Sequence, residues 1–107
     1  METIIRLQAY RKPQSRMFSG RDYGVEVRRK LRLSEKDVDD CIYIIQIPSD
    51  TLAINSSFFG GLFADSVIRL QEDGFKRKYL FQNENGKELK PTLIRDIEEG
   101  IYDALNC

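Results

Sequence analysis

Cys41-Ile42-Tyr43-Ile44-Ile45-Gln46-Ile47-Pro48 decides the fold class. The run is almost wholly apolar, rich in β-branched and aromatic residues, and closed by a proline that has no N–H to offer a ladder. A stretch of this length without alternation reads as a central strand buried on both faces, and such strands belong to sheets covered by helices. Upstream, Ser34 to Asp40 reads as an acidic connector. Before it, Ser19-Gly20-Arg21-Asp22 has the form of a helix start, with Ser19 as N-cap, Asp22 bonding back, and Phe18 stapled on Tyr23. Val25, Val27 and Leu31 carry the apolar side of that helix, while Arg28, Arg29, Lys30 and Arg32 crowd its last turn and complement the dipole. Gly24 inside it costs roughly 1 kcal/mol relative to alanine, which predicts a close neighbour. Further back, Arg11 to Arg16 is a polar loop broken by Pro13, and Thr3 to Tyr10 alternates as a strand with Ile5 and Leu7 on one face.

Downstream of Pro48, Ser49 to Thr51 makes a turn and Leu52-Ala53-Ile54 a short apolar stretch. Phe58 to Gln71 is helical, with Phe59, Leu62, Phe63, Val67 and Leu70 on one broad face. Asp73-Gly74 predicts a break, and Phe75 to Gln82 alternates as a strand with Phe75, Tyr79 and Phe81 inward. Asn83-Glu84-Asn85-Gly86 is a turn by composition. Pro91 suits a first helical position, and Leu93, Ile97, Ile101 and Leu105 form the stripe of a last helix. Strand and helix therefore alternate three times. The expectation is an α/β fold, a mixed or mainly parallel sheet flanked by helices, in a single domain spanning residues 1–107.

Composition narrows the function. At 107 residues the chain buries roughly 65% of its unfolded surface, enough for one core without staples. Hydrophobic residues at 41% and charged residues at 32% mark a globular chain. No apolar run is long enough to cross a bilayer, and no signal-peptide pattern opens the chain, so a cytoplasmic location is expected. Histidine is absent, which removes the commonest metal ligand and the usual general base. With only Cys41 and Cys107, neither a zinc site nor a disulfide scaffold is expected, and Cys107 reads as a free thiol. The zero net charge hides polarity: residues 1–36 hold ten Lys and Arg against four Asp and Glu, a net of +6, and the remainder holds −6. Such a chain suggests self-complementary packing or a basic surface offered to an acidic partner.

Chemistry concentrates at Ile54-Asn55-Ser56-Ser57-Phe58-Phe59-Gly60-Gly61-Leu62-Phe63. Small polar residues sit where a strand end gives way to a helix, and the free amides there attract an anion or a covalently attached phosphate. Asn and Ser are also the preferred caps, so capping alone accounts for the pattern as well.

This turn resembles the Asp-Ser-Ser/Thr-Gly turn of STAS domains, the anti-sigma-factor antagonist fold. Phe18-Ser19-Gly20-Arg21-Asp22-Tyr23-Gly24 and the segment from Ile54 to Phe63 together resemble the STAS-like branch of unknown function. The resemblance implies a non-catalytic regulatory module that binds a protein partner, an ATPase-fold serine kinase that doubles as an anti-sigma factor. It implies Ser57 as phospho-acceptor with Ser56 as its neighbour, and a docking edge of Asn55, Ser56, Ser57, Phe58, Gly60 and Gly61. Asn55 stands where that family has an acid, and Phe58 where it has glycine. Phe58 is expected to be the better exposed of the two phenylalanines, since Phe59 fits the apolar face.

Two other classes compete. Arg21, Asp22 and Tyr23 are candidates to line a pocket for a small molecule or nucleotide at the sheet's end. Lys76, Arg77 and Lys78, interleaved with Phe75, Tyr79 and Phe81 on one strand, superficially match a nucleic-acid-binding sheet, although nucleic acid is the weaker reading. An enzyme is not expected, because no nucleophile–base–orienter set can be assembled without histidine. Neither the P-loop nor the dinucleotide fingerprint is present, and no cofactor or metal is expected. Oligomeric state stays open, though an edge strand in a small sheet can pair with another copy.

Overall fold

The computed structural model describes residues 1–106, so Cys107 lies outside the described residues. Its elements are β1 (Glu2–Arg6), a 3-10 turn (Leu7–Tyr10), β2 (Met17–Phe18), α1 (Arg21–Leu31), α2 (Leu33–Lys36), β3 (Ile42–Ile47), β4 (Ala53–Ile54), α3 (Ser56–Lys78), β5 (Tyr79–Asn83) and α4 (Pro91–Leu105). The chain is an α/β protein with two parallel sheets, a three-stranded one in the order β1-β3-β5 and a two-stranded one pairing β2 with β4. None of the described helices is long and apolar enough to cross a membrane.

The strand order accounts for the layering. Successive crossovers step in one direction, from β1 to β3 to β5, and right-handed crossovers that step one way lay their helices on one face. α3 therefore lies between α1 and α4 in a single helical layer. The inward residues Ile5, Tyr43, Ile45, Ile47 and Tyr79 are buried beneath it. Phe59, Phe63, Phe75, Tyr79 and Phe81 form the aromatic centre of that core, with ring centroids 5.2–6.5 Å apart. The other face stays open: the in-register row Ile4, Ile44 and Leu80 is exposed at both ends, 47% for Ile4 and 39% for Leu80. This corrects the two-sided burial expected of Cys41–Ile47; β3 is central, but only alternate residues are covered.

Other local expectations are also revised. The first strand stops at Arg6, and Leu7, though buried as expected, opens a 3-10 turn. α1 starts one residue after Gly20, not at Ser19: Gly20 takes φ +95°, a left-handed-side conformation suited to glycine, and no side chain caps the helix. Ser34 to Asp40, expected as an acidic connector, takes in most of α2 and the buried Asp37.

The largest revision concerns Phe75 to Gln82. Residues through Lys78 are helical after a break at Gln71 (φ 62°, ψ 173°), and only Tyr79–Asn83 form a strand. Burial explains the change. Phe75 packs edge-on against Phe63 at 5.2 Å, and Lys76 bridges Glu72 one turn back and Glu98 on α4, at 2.9 and 3.1 Å. Packing of this kind overrides the alternation of side chains. Lys76, Arg77 and Lys78 thus lie on a helix end, and Phe75 and Tyr79 are buried. The interleaved aromatic and basic sheet surface does not form.

Candidate functional site

The short β2·β4 pairing builds the site. Phe18 sits in register with Ile54, and the Asn55 amide donates to the Phe18 carbonyl at 2.8 Å. Because each of these strands runs straight into a helix, the starts of α1 and α3 are held side by side. The two sequence segments singled out above, far apart in the chain, therefore meet. α4 is tied to the same place by the Asp96 carboxylate, which accepts a hydrogen bond from the Ile54 amide at 3.0 Å.

Asn55 occupies the N-cap of α3, yet its side chain makes no cap bond. The first helical amides, from Ser56 onward, have no carbonyl of the preceding turn to meet. Ser56 is exposed and Ser57 half-buried. Both line a cleft of about 430 Å³ with Arg21, Gly60, Asp103 and Asn106. Arg21 lies across Gly60, where an added Cβ would stand 2.9 Å from its Nη1. The cleft thus gathers a guanidinium, a helix N-terminus and two hydroxyls, which favour negative charge, together with the Asp103 carboxylate, which opposes it.

Two of the six expected docking residues do not face outward. Phe58 is fully buried, its ring 5.2 Å from Phe18 and 6.0 Å from Tyr23, so the expectation of an exposed Phe58 is corrected. Phe58 packs against both Phe18 and Tyr23, the two residues expected to staple directly on each other. Gly61 is buried at the crossing of α1 and α3, where an added Cβ would stand 2.2 Å from the Arg21 carbonyl. Asn55, Ser56, Ser57 and Gly60 remain reachable.

The trio Arg21, Asp22 and Tyr23 does not form one pocket. Arg21 belongs to the Ser57 cleft, whereas Asp22 is exposed. Tyr23 turns toward the N-terminal segment, donates its hydroxyl to the Tyr10 carbonyl, and lies under the Lys12 ammonium at 4.8 Å. Burial, with the nearby Glu26 charge, raises its phenol above the ordinary value. Tyr23 is therefore a strut for the segment before β2.

Two polar clusters were invisible in the sequence. In the first, Asp37 is buried and accepts from Tyr79 at 2.6 Å, Ser66 at 2.7 Å and Arg28 at 3.2 Å. Arg28 also donates to the Leu62 carbonyl at 2.9 Å and to Ser66 at 2.8 Å. Desolvation and the hydrogen bond to Asp37 raise the Tyr79 phenol well above its ordinary range. This network ties α1, the segment after α2, α3 and β5 together. Spacing gives no sign of it, because its directly bonded members lie up to 42 residues apart.

In the second cluster, Asp39 accepts from Lys78 at 2.6 Å, from the Cys41 amide at 2.9 Å and from the Tyr43 hydroxyl. Desolvation pushes the Asp39 carboxyl up, but the bonds from Lys78, Tyr43 and the Cys41 amide together outweigh it and hold the group at about 2. A depressed folded-state value stabilises the fold above the unfolded carboxylate value of about 3.9, and that contribution is lost as pH falls toward 2. Asp39→Asn is accordingly expected to be less stable than the parent chain at pH 5, with the gap closing by pH 2. Urea midpoints at several pH values check this; a gap that widens on acidification would contradict it.

Comparison with protein-family models, curated proteins and solved structures finds no match to the chain. The fold and the cleft define a small two-layer α/β protein with an uncapped helix start open to one side.

Proposed function

We propose that the chain is a non-catalytic, cytoplasmic regulatory module of STAS-like type that docks a protein partner at the start of α3 and is switched by phosphorylation of Ser57. One observation carries the reading: Ser57 stands on the first turn of an uncapped helix, half-exposed, in a cleft that also holds Arg21. In the switching step the partner kinase, of the ATPase-fold class, transfers the γ-phosphoryl group of ATP to Ser57 Oγ and ADP leaves. Hydrolysis of the ester by a phosphatase restores the hydroxyl and releases phosphate. The phosphoserine carries about −1.5 to −2 charge, which Arg21 and the α3 amides are placed to accept. The same charge, set at the edge where Asn55, Ser56 and Gly60 meet the partner, weakens docking.

Intact-mass spectrometry of the protein isolated from its native cells tests this directly. A species heavier by one phosphate and mapped to Ser57, with Ser56 as the neighbouring acceptor, is the expected result. Ser57→Asp is expected to weaken binding to a captured partner about tenfold or more relative to Ser57→Ala, since misplaced charge at an interface costs more than 1.4 kcal/mol. Both variants are compared at matched stability, because a substitution on the first helical turn can itself cost about 1 kcal/mol. Equal affinities for the two variants would end the switch reading.

A further inference from the structure

The outer strands β1 and β5 end the three-stranded sheet in different ways. Along a strand, the main-chain groups of successive residues point alternately to the two sides. The Glu84 amide donates to the Ile47 carbonyl at 2.9 Å, so Leu80 and Gln82 face β3, while Tyr79, Phe81 and Asn83 face away. The Tyr79 amide is taken by the Phe75 carbonyl. Asn83 is closed into the following turn, its amide donating to Lys87 at 3.0 Å and its carbonyl accepting from Gly86 at 2.9 Å. Phe81 is left with both its N–H and its C=O unpartnered among the described residues.

Alongside this edge runs a groove of about 300 Å³ between β5 and α4, mostly apolar with Leu80, Phe81, Leu89 and Ile94, and with the Lys76–Glu98 ion pair in its wall. Ile94 is 46% exposed. An unpaired edge beside an apolar groove offers an incoming strand both main-chain partners and a place for its side chains. Edges are ordinarily guarded by charge. β1 follows that rule, since the Ile42 amide bonds the Met1 carbonyl and the alternation then sets Glu2, Ile4 and Arg6 toward its outer edge. β5 does not, because Tyr79-Leu80-Phe81-Gln82-Asn83 carries no charge.

Charges stand instead at the two ends of β5, with Lys76, Arg77 and Lys78 before it and Glu84 and Glu88 after it. On a second copy laid antiparallel, each basic end meets an acidic end; laid parallel, like charges meet. Lys78 is held by Asp39 and Glu84 accepts from Ser49, so the exposed Arg77 and Glu88 supply the available charges at the two ends. We propose that the chain forms a two-fold dimer by antiparallel pairing of β5 with β5 of a second copy, centred on Phe81. In that register Phe81 of each copy donates to and accepts from the other, the hydrogen-bonded type of antiparallel pair. The two-fold closes the assembly and leaves no further open β5 edge. Among the described residues only the Phe81 pair is free to bond on this edge, because the Tyr79 amide and both Asn83 main-chain groups are taken, so the strands alone give too little contact for the ~800 Å² per partner of a stable interface. The groove and Ile94, brought against their copies across the two-fold, add to it. None of the groove residues lines the Ser57 cleft, so the dimer stands or falls independently of the phosphoswitch.

Sedimentation velocity of the full chain from micromolar to sub-millimolar concentration, joined to amide hydrogen exchange, tests the dimer. The expected result is a dimer in which the Phe81 amide exchanges slowly. Ile94→Glu, at an exposed position that leaves the core untouched, is expected to weaken the dimer about tenfold or more and return the Phe81 amide to fast exchange. A chain that stays monomeric at every concentration would overturn the proposal. So would a dimer that Ile94→Glu leaves intact, or one whose Phe81 amide exchanges at the exposed rate.

Discussion

Gly24→Ala is expected to destabilise the fold by about 3 kcal/mol, against a gain of roughly 1 kcal/mol that alanine brings to an unobstructed helix interior. The added Cβ would stand 2.4 Å from the Phe58 carbonyl oxygen and 2.9 Å from the Leu62 nitrogen. Both are main-chain atoms of α3, so no rotamer change relieves the contact and the helices must separate. Gly61→Ala meets α1 in the same way, 2.2 Å from the Arg21 carbonyl, and is expected to behave alike. Gly74 provides the contrast. Its nearest neighbour is the Leu70 Cβ at 3.3 Å, a tight contact but not a main-chain clash, so Gly74→Ala is expected to change stability by less than about 1 kcal/mol. Thermal unfolding separates the cases, because 3 kcal/mol corresponds to a fall of about 12–20 °C in a domain of this size. A Gly24→Ala variant within a few degrees of the parent would refute the close helix crossing. Since this crossing sets Arg21 beside Ser57, the same substitution also tests whether the cleft depends on helix contact.

The second large effect belongs to Asp37. Asp37→Ala removes the acceptor shared by Arg28, Ser66 and Tyr79 and leaves a guanidinium, itself only 10% exposed, with no carboxylate among the described residues nearer than the exposed Asp65 at 4.0 Å. Breaking a buried pair from one side costs about 3–5 kcal/mol, mostly the penalty of the orphaned partner. Tyr79→Phe deletes one hydrogen bond to the same carboxylate and is expected to cost less, about 1.5–3 kcal/mol. Arg28→Met combined with Asp37→Leu is expected to cost well under the sum of the two single changes, because the pair then leaves together and no charge is stranded. Urea denaturation of Asp37→Ala, Tyr79→Phe, the two single changes and their combination checks the order. An Asp37→Ala cost below 1 kcal/mol would show that Asp37 is hydrated in solution.

Particular residues show how much of this could be read from sequence. Ile45 and Ile47 announced the central strand, because a β-branched run ending in proline has few other uses. The apolar stripe Leu93, Ile97 and Ile101 likewise announced α4. Gly24 predicted a close neighbour, since a glycine in mid-helix is otherwise costly, and the neighbour is α3. Phe75 misled, because its alternation with Tyr79 and Phe81 fits a strand equally well. Only the aromatic cluster around Phe63 decides for a helix through Lys78. Phe58 misled for a related reason: its burial depends on Phe18 and Tyr23, which lie tens of residues away in the chain.

Local information fixes what depends on neighbours in the chain: the alternation of strands and helices, the α/β class, the polar turn at Asn55-Ser56-Ser57 and the lack of histidine. These follow from periodicity, turn chemistry and composition, which act over a few residues. Tertiary structure alone decided which faces and partners those elements found. It put the helices on one side of the sheet, joined Arg21 to Ser57 through the β2·β4 pairing, and buried Asp37 among Arg28, Ser66 and Tyr79. It also left the β5 edge unpaired at Phe81. The reason is physical: such contacts connect residues tens of positions apart, and they form only when the packing of the whole core repays the entropy of bringing them together.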